Sequence, residues 1–496
     1  MKLARTATAA LLCLAGGLWP QQGREIHLSL DGCIRHALQN NINLAAEVLT
    51  PRIDEETVGL ANEVFLPRLS LSLAQSSRNS ASYSWINASG TITTASGQYA
   101  VNLSQLLPTG GRLEANLTSY KTDSTESFLT INPRYGSTLT FDFTQPLLRG
   151  FGPTATRSLI IVAQLNRNIS RSAFRGIVMD TVTRVEQAYW DLVYSIENLK
   201  AKQESLKYAR DLLFKNQKEL EAGLISPVEI LNAKAEVAGR EADIIQAEAG
   251  VRNSEDLLRT LMNLVGTDTL VPTDSPKLEE KALALDEALR LAFAHRPELE
   301  AGRIRIESSD INLGVARNGL LPNLSLNASY WSPGVSGTRI LYKDDNPLTN
   351  IIIGRVPGES SDALKDALNM RYRNWSVYLT LDIPLDTVLS RAAFARAKLE
   401  ADQAALRFKN LEQQAALDVQ TALRAVETDY RRALGYRAAR ALEEEKLRAE
   451  ERKLAAGLST SYNVLLHQRD LAAARTNELR ALADYNLSLA RLDRAL

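Results

Sequence analysis

The chain has 496 residues, and its 58 lysines and arginines balance its 58 aspartates and glutamates, so the formal net charge is zero. This balance argues against a basic nucleic-acid-binding surface and against an acidic tail. Hydrophobic residues make up 45% and charged residues 23%, values typical of a folded protein. With only two cysteines and four histidines, we predict no disulfide scaffold, no metal site and no cofactor.

Residues 1–23 have the pattern of a secretory signal peptide. Lys2 and Arg5 precede an apolar run from Ala7 to Leu18, which breaks at Pro20. A run of about twelve apolar residues is too short to span a bilayer. No later segment is apolar for the roughly eighteen residues that a spanning helix needs. The exported protein is therefore expected to enter a membrane, if at all, as β-strands.

The rest of the chain consists of two copies of one unit. Residues 28–38 (LSLDGCIRHAL) are matched by residues 283–293 (LALDEALRLAF), and 66–71 (LPRLSL) by 321–326 (LPNLSL). A first repeat over 24–265, a linker over 266–282 and a second repeat over 283–496 follow from these matches. The first copy carries roughly 21 extra residues between its matched ends, about one β-hairpin.

Each repeat is predicted to contain helices, then strands, then long helices. In the first repeat these segments are 28–66, 67–149 and 154–265, and in the second they are 284–321, 323–385 and 387–496. Pro67 and Pro322 stop the first helices. Six runs then alternate apolar with polar residues, near 69–73, 101–103, 113–117, 139–143, 324–330 and 377–383. The polar stretches 76–98, 121–136 and 332–373 are expected to be long loops.

The long helices carry apolar residues at seven-residue intervals, the spacing of a coiled-coil seam. In the first copy these residues are Val178, Val185, Leu192, Leu199, Leu206, Leu213 and Leu220. In the second copy they are Val419, Val426, Ala433, Leu447 and Leu454, with Arg440 interrupting the series. A helix of about 65 residues is on the order of 100 Å long. Gly223 and Gly457 fit the caps that end these helices, and Pro227 fits the start of the next one.

Two to four such strands cannot close a barrel, and an open sheet edge in lipid leaves backbone groups unpaired. If the strands lie in a membrane, several chains must share them, and the helices would continue the tube into the aqueous compartment. The pattern predicts an oligomeric conduit.

At this point the sequence resembles the TolC-type outer-membrane efflux protein family over nearly the whole mature chain. The resemblance rests on paired motifs in the same order in both copies. These are the openings at 28–35 and 283–290, the LPxLSL junctions, the strand exits at 145–149 and 383–385, and the Ala-Gly-Leu turns at 222–224 and 456–458.

The resemblance implies an α+β membrane protein: a homotrimer with a transmembrane β-barrel and a long antiparallel α-helical coiled-coil barrel crossing the periplasm. It implies a passive exit duct of a tripartite efflux or type I secretion system, in outer-membrane lipid, with a periplasmic adaptor and an inner-membrane transporter as partners and no nucleic acid. Drugs, metals and proteins all remain open as cargo. Members usually contribute four strands per chain, and whether this chain contributes four or six is left open, with six favoured.

The resemblance also implies a gate where the helices turn at the periplasmic tip. Glu229 stands at the family's acidic position, although an acid in the first turn of a helix also fits the helix dipole. Ser459, Asn463 and Leu466 stand where other members carry arginine and aspartates, so a gate held by apolar packing and hydrogen bonds is expected here. The adaptor would dock at the turns, at Gly223, Leu224, Gly457 and Leu458, where the glycines also serve as caps.

Two other classes of function fit the sequence less well. A periplasmic coiled-coil adaptor or scaffold without its own barrel is the alternative, but it has no use for amphipathic strands of bilayer-spanning length. A secreted enzyme is disfavoured because no Gly-x-Ser-x-Gly turn and no His-Glu-x-x-His pair occurs. We therefore predict that the protein is not an enzyme.

Overall fold

The computed structural model describes residues 25–82, 90–223, 225–266, 268–349 and 351–496. The predicted signal peptide and Leu224 lie outside these residues. The strands are β1 (Glu25–Leu28), β2 (Arg68–Ala81), β3 (Thr91–Leu106), β4 (Arg112–Ser124), β5 (Ile131–Pro146), β6 (Thr269–Pro272), β7 (Asn323–Tyr342), β8 (Ile352–Val356) and β9 (Asn374–Asp382). The helices are α1 (Leu30–Asn40), α2 (Ile42–Glu47), α3 (Leu49–Asn62), α4 (Pro153–Glu221), α5 (Pro227–Met262), α6 (Leu285–His295), α7 (Pro297–Asn318), α8 (Ser360–Leu368), α9 (Val388–Ala455) and α10 (Ser461–Ala495).

These elements form two compact units. The helical unit contains the described residues up to Ala46, Gly176–His295 and Ala415–Leu496. The sheet unit contains Glu47–Arg175 and Arg296–Gln414. Both units draw on both halves of the chain, because α4 and α9 each pass from one unit into the other.

Two of the apolar clusters in the described part of the helical unit use matched positions of the repeat. In one cluster Cys33 of α1 packs with Val185 and Tyr189 of α4 and with Met262 of α5. In the other, Ala288 of α6 packs with residues of α9 and α10: Val419, Val426, Tyr485 and Leu492. Cys33 and Ala288 occupy equivalent places in the two copies, and neither exposes any surface. Cys33 is thus a packing residue, and burial raises the pKa of its thiol to about 12.

The seven-residue series of α4 and α9 faces the interior along part of each helix. Val185, Leu192 and Leu206 are buried in α4, and Val419, Val426 and Ala433 are buried in α9. The predicted linker 266–282 holds an additional strand, since β6 pairs in parallel with β1. This pairing brings Asp274 next to the start of α1, where its carboxylate accepts hydrogen bonds from the Leu30 amide and the Tyr189 hydroxyl.

The sheet unit contains one antiparallel sheet in the order β2-β3-β4-β5-β7, with β8 and β9 both paired to β7. Each of the six alternating runs lies in a separate strand, and the last of them extends one residue beyond the end of β9. Strand β8 is a short seventh strand of the sheet. The first-copy hairpin around Gly110 and Gly111 is continuous with the sheet: β3 pairs with β2 on one side and β4 with β5 on the other.

The prediction of long loops was wrong for most of the residues concerned. Strands β2 and β3 run through most of the described part of 76–98, and β4 and β5 cover most of 121–136. These segments are rich in serine, threonine and glycine, and backbone pairing holds them in strands without an apolar pattern. Segment 332–373 contains the end of β7, β8 and α8. Gly334 lies so close to α8 that an added Cβ would come within 2.1 Å of the Ala363 carbonyl oxygen.

The register of the sheet separates an apolar face from a polar one. One line of directly paired residues crosses all six long strands as Leu69, Leu103, Ala115, Phe141, Tyr330 and Trp375. The adjacent line, which points to the opposite face, reads Arg68, Ser104, Glu114, Asp142, Ser329 and Ser376. The hairpin strands β3 and β4 therefore continue the same two faces as the other four.

Candidate functional site: the helical turns and the apolar sheet face

The two turns between the long helices have the same backbone geometry. Gly223 follows α4 with φ +73°, and Gly457 follows α9 with φ +74°, both in the left-handed region that favours glycine. The Gly223 amide donates to the Leu220 carbonyl, and the Gly457 amide donates to the Leu454 carbonyl. Both glycines are thus helix caps, as predicted.

Each returning helix begins at a polar cap. Ser226 precedes Pro227, the first residue of α5, and its side chain accepts a hydrogen bond from the Val228 amide. At the start of α10, the Thr460 side chain accepts a hydrogen bond from the Asn463 amide. Glu229 lies half-buried in the first turn of α5, where its charge complements the helix dipole. Its predicted role in a gate stays a prediction.

The α9–α10 turn is closed by a hydrogen-bond network around Glu450. The Ser459 hydroxyl donates to Glu450 Oε1 over 2.5 Å, and Asn463 Nδ2 donates to the Ser459 hydroxyl oxygen over 3.3 Å. Lys453 Nζ donates to the other carboxylate oxygen over 2.9 Å. Glu450 is only 8% exposed. The Ser459 and Lys453 hydrogen bonds hold the pKa of the Glu450 carboxyl below its usual value, because they favour the ionised form.

The structure therefore brings Ser459 and Asn463 together but leaves other predicted residues apart from them. Leu466 is half-buried on α10, and Leu458 is 80% exposed at the tip of the turn. Sequence reasoning missed Glu450, the residue that joins the other two. In the sequence Glu450 is one of many acidic residues in its helix, and its position nine residues before Ser459 does not distinguish it from the others.

Charged pairs bind the long helices of the helical unit to one another. Glu478 of α10 is only 9% exposed and forms ion pairs with Arg440 at 2.6 Å and Arg437 at 3.5 Å, both from α9. Arg440, which interrupts the apolar series, therefore neutralises a buried acid. Arginines of α10 also pair with acids of α4: Arg475 with Glu204, Arg480 with Asp191 and Arg494 with Asp180.

Among the described residues, the apolar face of the sheet is most exposed on its edge strands. Leu69, Leu71 and Leu73 of β2 expose 65%, 72% and 79% of their surface. Trp375, Leu379 and Leu381 of β9 are also more than half exposed. Soluble monomers rarely leave an apolar surface of this extent in water, so this face needs an apolar environment or a partner. Among the helices of the described ranges, none combines the length and apolarity required to cross a bilayer.

Comparisons with known proteins agree with this architecture. The family model described as outer membrane efflux protein matches residues 132–264 and 288–496, more than half of the chain. The chain is 22% identical over 226 residues to toxin and drug export protein A of Aggregatibacter actinomycetemcomitans, and this match covers 45% of each protein. It is 24% identical over 339 residues to outer membrane protein TolC of Vibrio cholerae, covering 66% of this chain and 69% of that protein.

The same fold occurs in a solved channel. The open state of the Neisseria gonorrhoeae MtrE outer membrane channel superposes with a TM-score of 0.64 at 19% identity, covering 94% of this chain and 88% of that one. The chain spans less than half of the export protein it matches and about two-thirds of TolC, but nearly the whole of this channel structure. With helices turning at glycine caps, one amphipathic sheet and a family match over most of its length, the chain belongs to the outer membrane efflux protein family.

Proposed function

We propose that this protein is the outer-membrane exit duct of a tripartite efflux or type I secretion system. It conducts substrates passively from a periplasm-spanning pump to the exterior and catalyses no reaction. Membership of the family and the channel fold support this assignment. The observation that carries it is the apolar face that crosses all six long strands, and whose large apolar residues on the edge strands β2 and β9 are more than half exposed in the described part of the chain.

The occupant of that face is the hydrocarbon of the outer membrane. The opposite face presents serine, asparagine, threonine and acidic side chains, which suit a water-filled lumen. A sheet with two free edges leaves backbone groups unpaired in lipid, at several kcal/mol each. Three copies remove these edges by pairing the β2 edge of one with the β9 edge of the next. The hairpin of β3 and β4 belongs to this wall, which gives eighteen strands instead of twelve.

The long helices form the periplasmic part of the duct, as an antiparallel coiled-coil barrel shared by the three chains. Its gate lies at the helical turns, where Glu229, Ser459, Asn463 and Leu466 contribute. The Ser459–Glu450–Asn463 network supports a latch made of hydrogen bonds rather than of arginine–aspartate pairs. A periplasmic adaptor docks on the turns at Gly223, Leu224, Gly457 and Leu458 and connects the duct to an inner-membrane transporter.

The competing function is a periplasmic scaffold without its own barrel. Such a protein would have to cover its apolar strands with itself or with another protein. In the described part of the sheet unit, the apolar residues of β2 and β9 remain more than half exposed. Lipid is the simplest environment that satisfies a surface of this kind, so the exit duct is favoured.

Cell fractionation and electrophoresis separate the two functions. The full-length protein is expected in detergent extracts of the outer membrane, as a band that moves at the mass of three chains unheated and of one chain after boiling. In planar bilayers it should give ion conductance. Recovery of a water-soluble monomer from the periplasm, without conductance, would contradict the exit duct and favour the scaffold.

A further inference from the structure

Three metal-ligating side chains converge where α9 and α10 run side by side near their turn. They are Glu443 of α9 and His467 and Asp470 of α10. One potential ligand atom from each lies within 4.8 Å of the corresponding atoms of the other two. All three belong to the helical unit. The three side chains form none of the Glu450 hydrogen bonds described above, although His467 lies one helical turn after Asn463 and close enough to Glu450 for the two side chains to interact electrostatically.

The histidine of this cluster has an unused nitrogen. His467 Nδ1 is buried and makes no hydrogen bond to any residue in the described part of the chain. Buried ring nitrogens normally have a hydrogen-bond partner, because a nitrogen without one loses its hydrogen bonds to water and gains none in the protein. A metal ion satisfies a neutral imidazole nitrogen through its lone pair. The unpaired nitrogen of His467 is an observation separate from the proximity of the two carboxylates.

Helix geometry explains why the three side chains meet. His467 and Asp470 are three residues apart and so lie on the same side of α10. Glu443 faces them from the antiparallel α9. Ligands of a tetrahedral zinc ion lie about 3.3 Å apart, since each bond is about 2.0–2.1 Å long. Separations of up to 4.8 Å therefore close by small side-chain rotations, without movement of either helix.

The local charge also favours a divalent cation. Glu443 and Asp470 bring two negative charges, and an imidazole ligand binds a metal ion in its neutral form. Lys446 offsets one of these charges, because its Nζ lies 2.6 Å from Glu443 Oε1. The Lys446 side chain is 57% exposed and can swing into water when an ion takes its place. One imidazole and two carboxylates, with one position open to water, is a ligand set that suits zinc and cobalt better than calcium or magnesium.

We infer that Glu443, His467 and Asp470 form a binding site for one divalent transition-metal ion of the zinc type per chain. The ion bridges α9 to α10 close to the turn and stiffens that end of the helix pair. The inference stands on these three side chains alone, and it does not require that the protein be an export duct.

The test uses full-length protein without a histidine tag, purified in detergent, stripped with EDTA and dialysed at pH 7.5. Titration with Co²⁺, followed by its visible absorbance, reports ligand number and stoichiometry, and competition with Zn²⁺ gives the affinity for zinc. We expect one Co²⁺ per chain with the intense bands of four-coordinate cobalt, displaced by Zn²⁺. His467→Asn and Asp470→Asn should each weaken binding by at least about tenfold.

His295→Asn is the matched control, because His295 is an exposed histidine at the end of α6 and lies outside the cluster. The His295→Asn protein should bind cobalt as the wild type does. Asp470 is exposed, so Asp470→Asn should leave the fold intact even if His467→Asn does not. Circular dichroism checks both. Absence of stoichiometric binding, or binding that Asp470→Asn and His467→Asn leave unchanged, would overturn the inference.

Discussion

The Ser459 hydroxyl, in the α9–α10 turn, lies 2.5 Å from the buried Glu450 carboxylate of α9. This hydrogen bond fixes the first residues after Gly457 to the last full turns of α9. Because Asn463 in turn donates to Ser459, the start of α10 is tied to the same carboxylate. The conformation of the turn therefore depends on one acid that lies outside it.

Replacing Ser459 with alanine should loosen this turn. Glu450 would keep Lys453 but lose a charge-assisted hydrogen bond, so amide exchange over residues 456–466 should become roughly tenfold faster. Hydrogen-exchange mass spectrometry measures this. Glu450→Gln should have a similar effect, and the double variant should add little to either, because both remove the same interaction. Glu451→Gln, at the exposed neighbouring acid, is the control. Fully additive effects would show that the two residues act separately.

The same turn should lose protection in acid. Folding lowers the pKa of Glu450 below its ordinary value of 4.5, chiefly through the Ser459 hydrogen bond. A carboxyl with a lowered pKa stabilises the folded form fully above its unfolded pKa, and this stabilisation is lost as the pH falls through the folded pKa. Protection of residues 456–466, corrected for intrinsic exchange, should therefore be constant near pH 6–7 and fall below about pH 4.5. In Glu450→Gln this step should be missing; a step of equal size there would assign it to another group.

Arg440 should be needed for stability although it interrupts an apolar series. Arg440→Leu restores the series but leaves Glu478 buried with only the 3.5 Å contact to Arg437. We expect a loss of about 1–2 kcal/mol in unfolding free energy, less than for a fully buried pair because Arg437 remains. Adding Glu478→Leu should recover most of it. Denaturant unfolding measures these changes.

Arg431→Ala is the comparison for Arg440. Arg431 also lies on α9 and pairs with a glutamate, but its side chain is 75% exposed and Glu427 is 62% exposed. Such pairs contribute about 0–1 kcal/mol, so this variant should resemble the wild type. If Arg440→Leu alone were as stable as the wild type, the buried pair would have no structural role.

The two faces of the hairpin strand β3 should respond in opposite ways to a charge. Leu103→Arg places a cation on the apolar face, which costs about 2–4 kcal/mol in the middle of a bilayer. The amount of heat-modifiable oligomer in outer-membrane extracts should fall strongly. Ser104→Arg places the same charge at the next residue, on the polar face of the sheet. This variant should form the oligomer in normal amounts. Equal assembly of both variants would place the hairpin outside the membrane wall.

Gly457 and Gly435 should respond with opposite signs to alanine. In the parts of the chain that the structure describes, no neighbouring atom lies within 4 Å of a Cβ added at either glycine, so the backbone conformation distinguishes them. Gly457 has φ +74°, where alanine is strained by about 1 kcal/mol, whereas Gly435 lies within α9, where alanine gains up to about 1 kcal/mol. Denaturant unfolding should show the two shifts. Stabilisation by Gly457→Ala would mean that the turn does not need its left-handed residue.

Local patterns predicted the elements of this fold well where they had a strong cause. The glycine caps, the Pro227 helix start and the six alternating runs each have a local physical signal, and the structure contains all of them. The outer halves of the strands carry no such signal. Ser76 pairs with Ser96, and Thr94 pairs with Ser124. At these positions the strand conformation depends on backbone pairing with the neighbouring strand and not on alternation of apolar and polar side chains.

Long-range partners were out of reach of the sequence for the same reason. Arg440 looked like a defect in an apolar series until Glu478 was found opposite it, 38 positions later in the chain. Glu450 and the Glu443–His467–Asp470 cluster likewise depend on how α9 and α10 are paired. The sequence shows which residues each helix carries. Which residues of two antiparallel helices come into contact depends on the register between the helices, and the sequence of one chain does not show that register.

The additional hairpin of the sheet has a consequence for the cell's permeability barrier. The diameter of a strand cylinder grows nearly in proportion to strand number, and one of about eighteen strands is too broad for side chains to fill. On the proposal that three chains share the wall, its lumen admits hydrated solutes, and leakage is prevented only while the proposed gate at the helical turns is closed. Variants that loosen the α9–α10 turn would then fold and insert normally, yet sensitise the bacterium to large antibiotics that an intact outer envelope excludes.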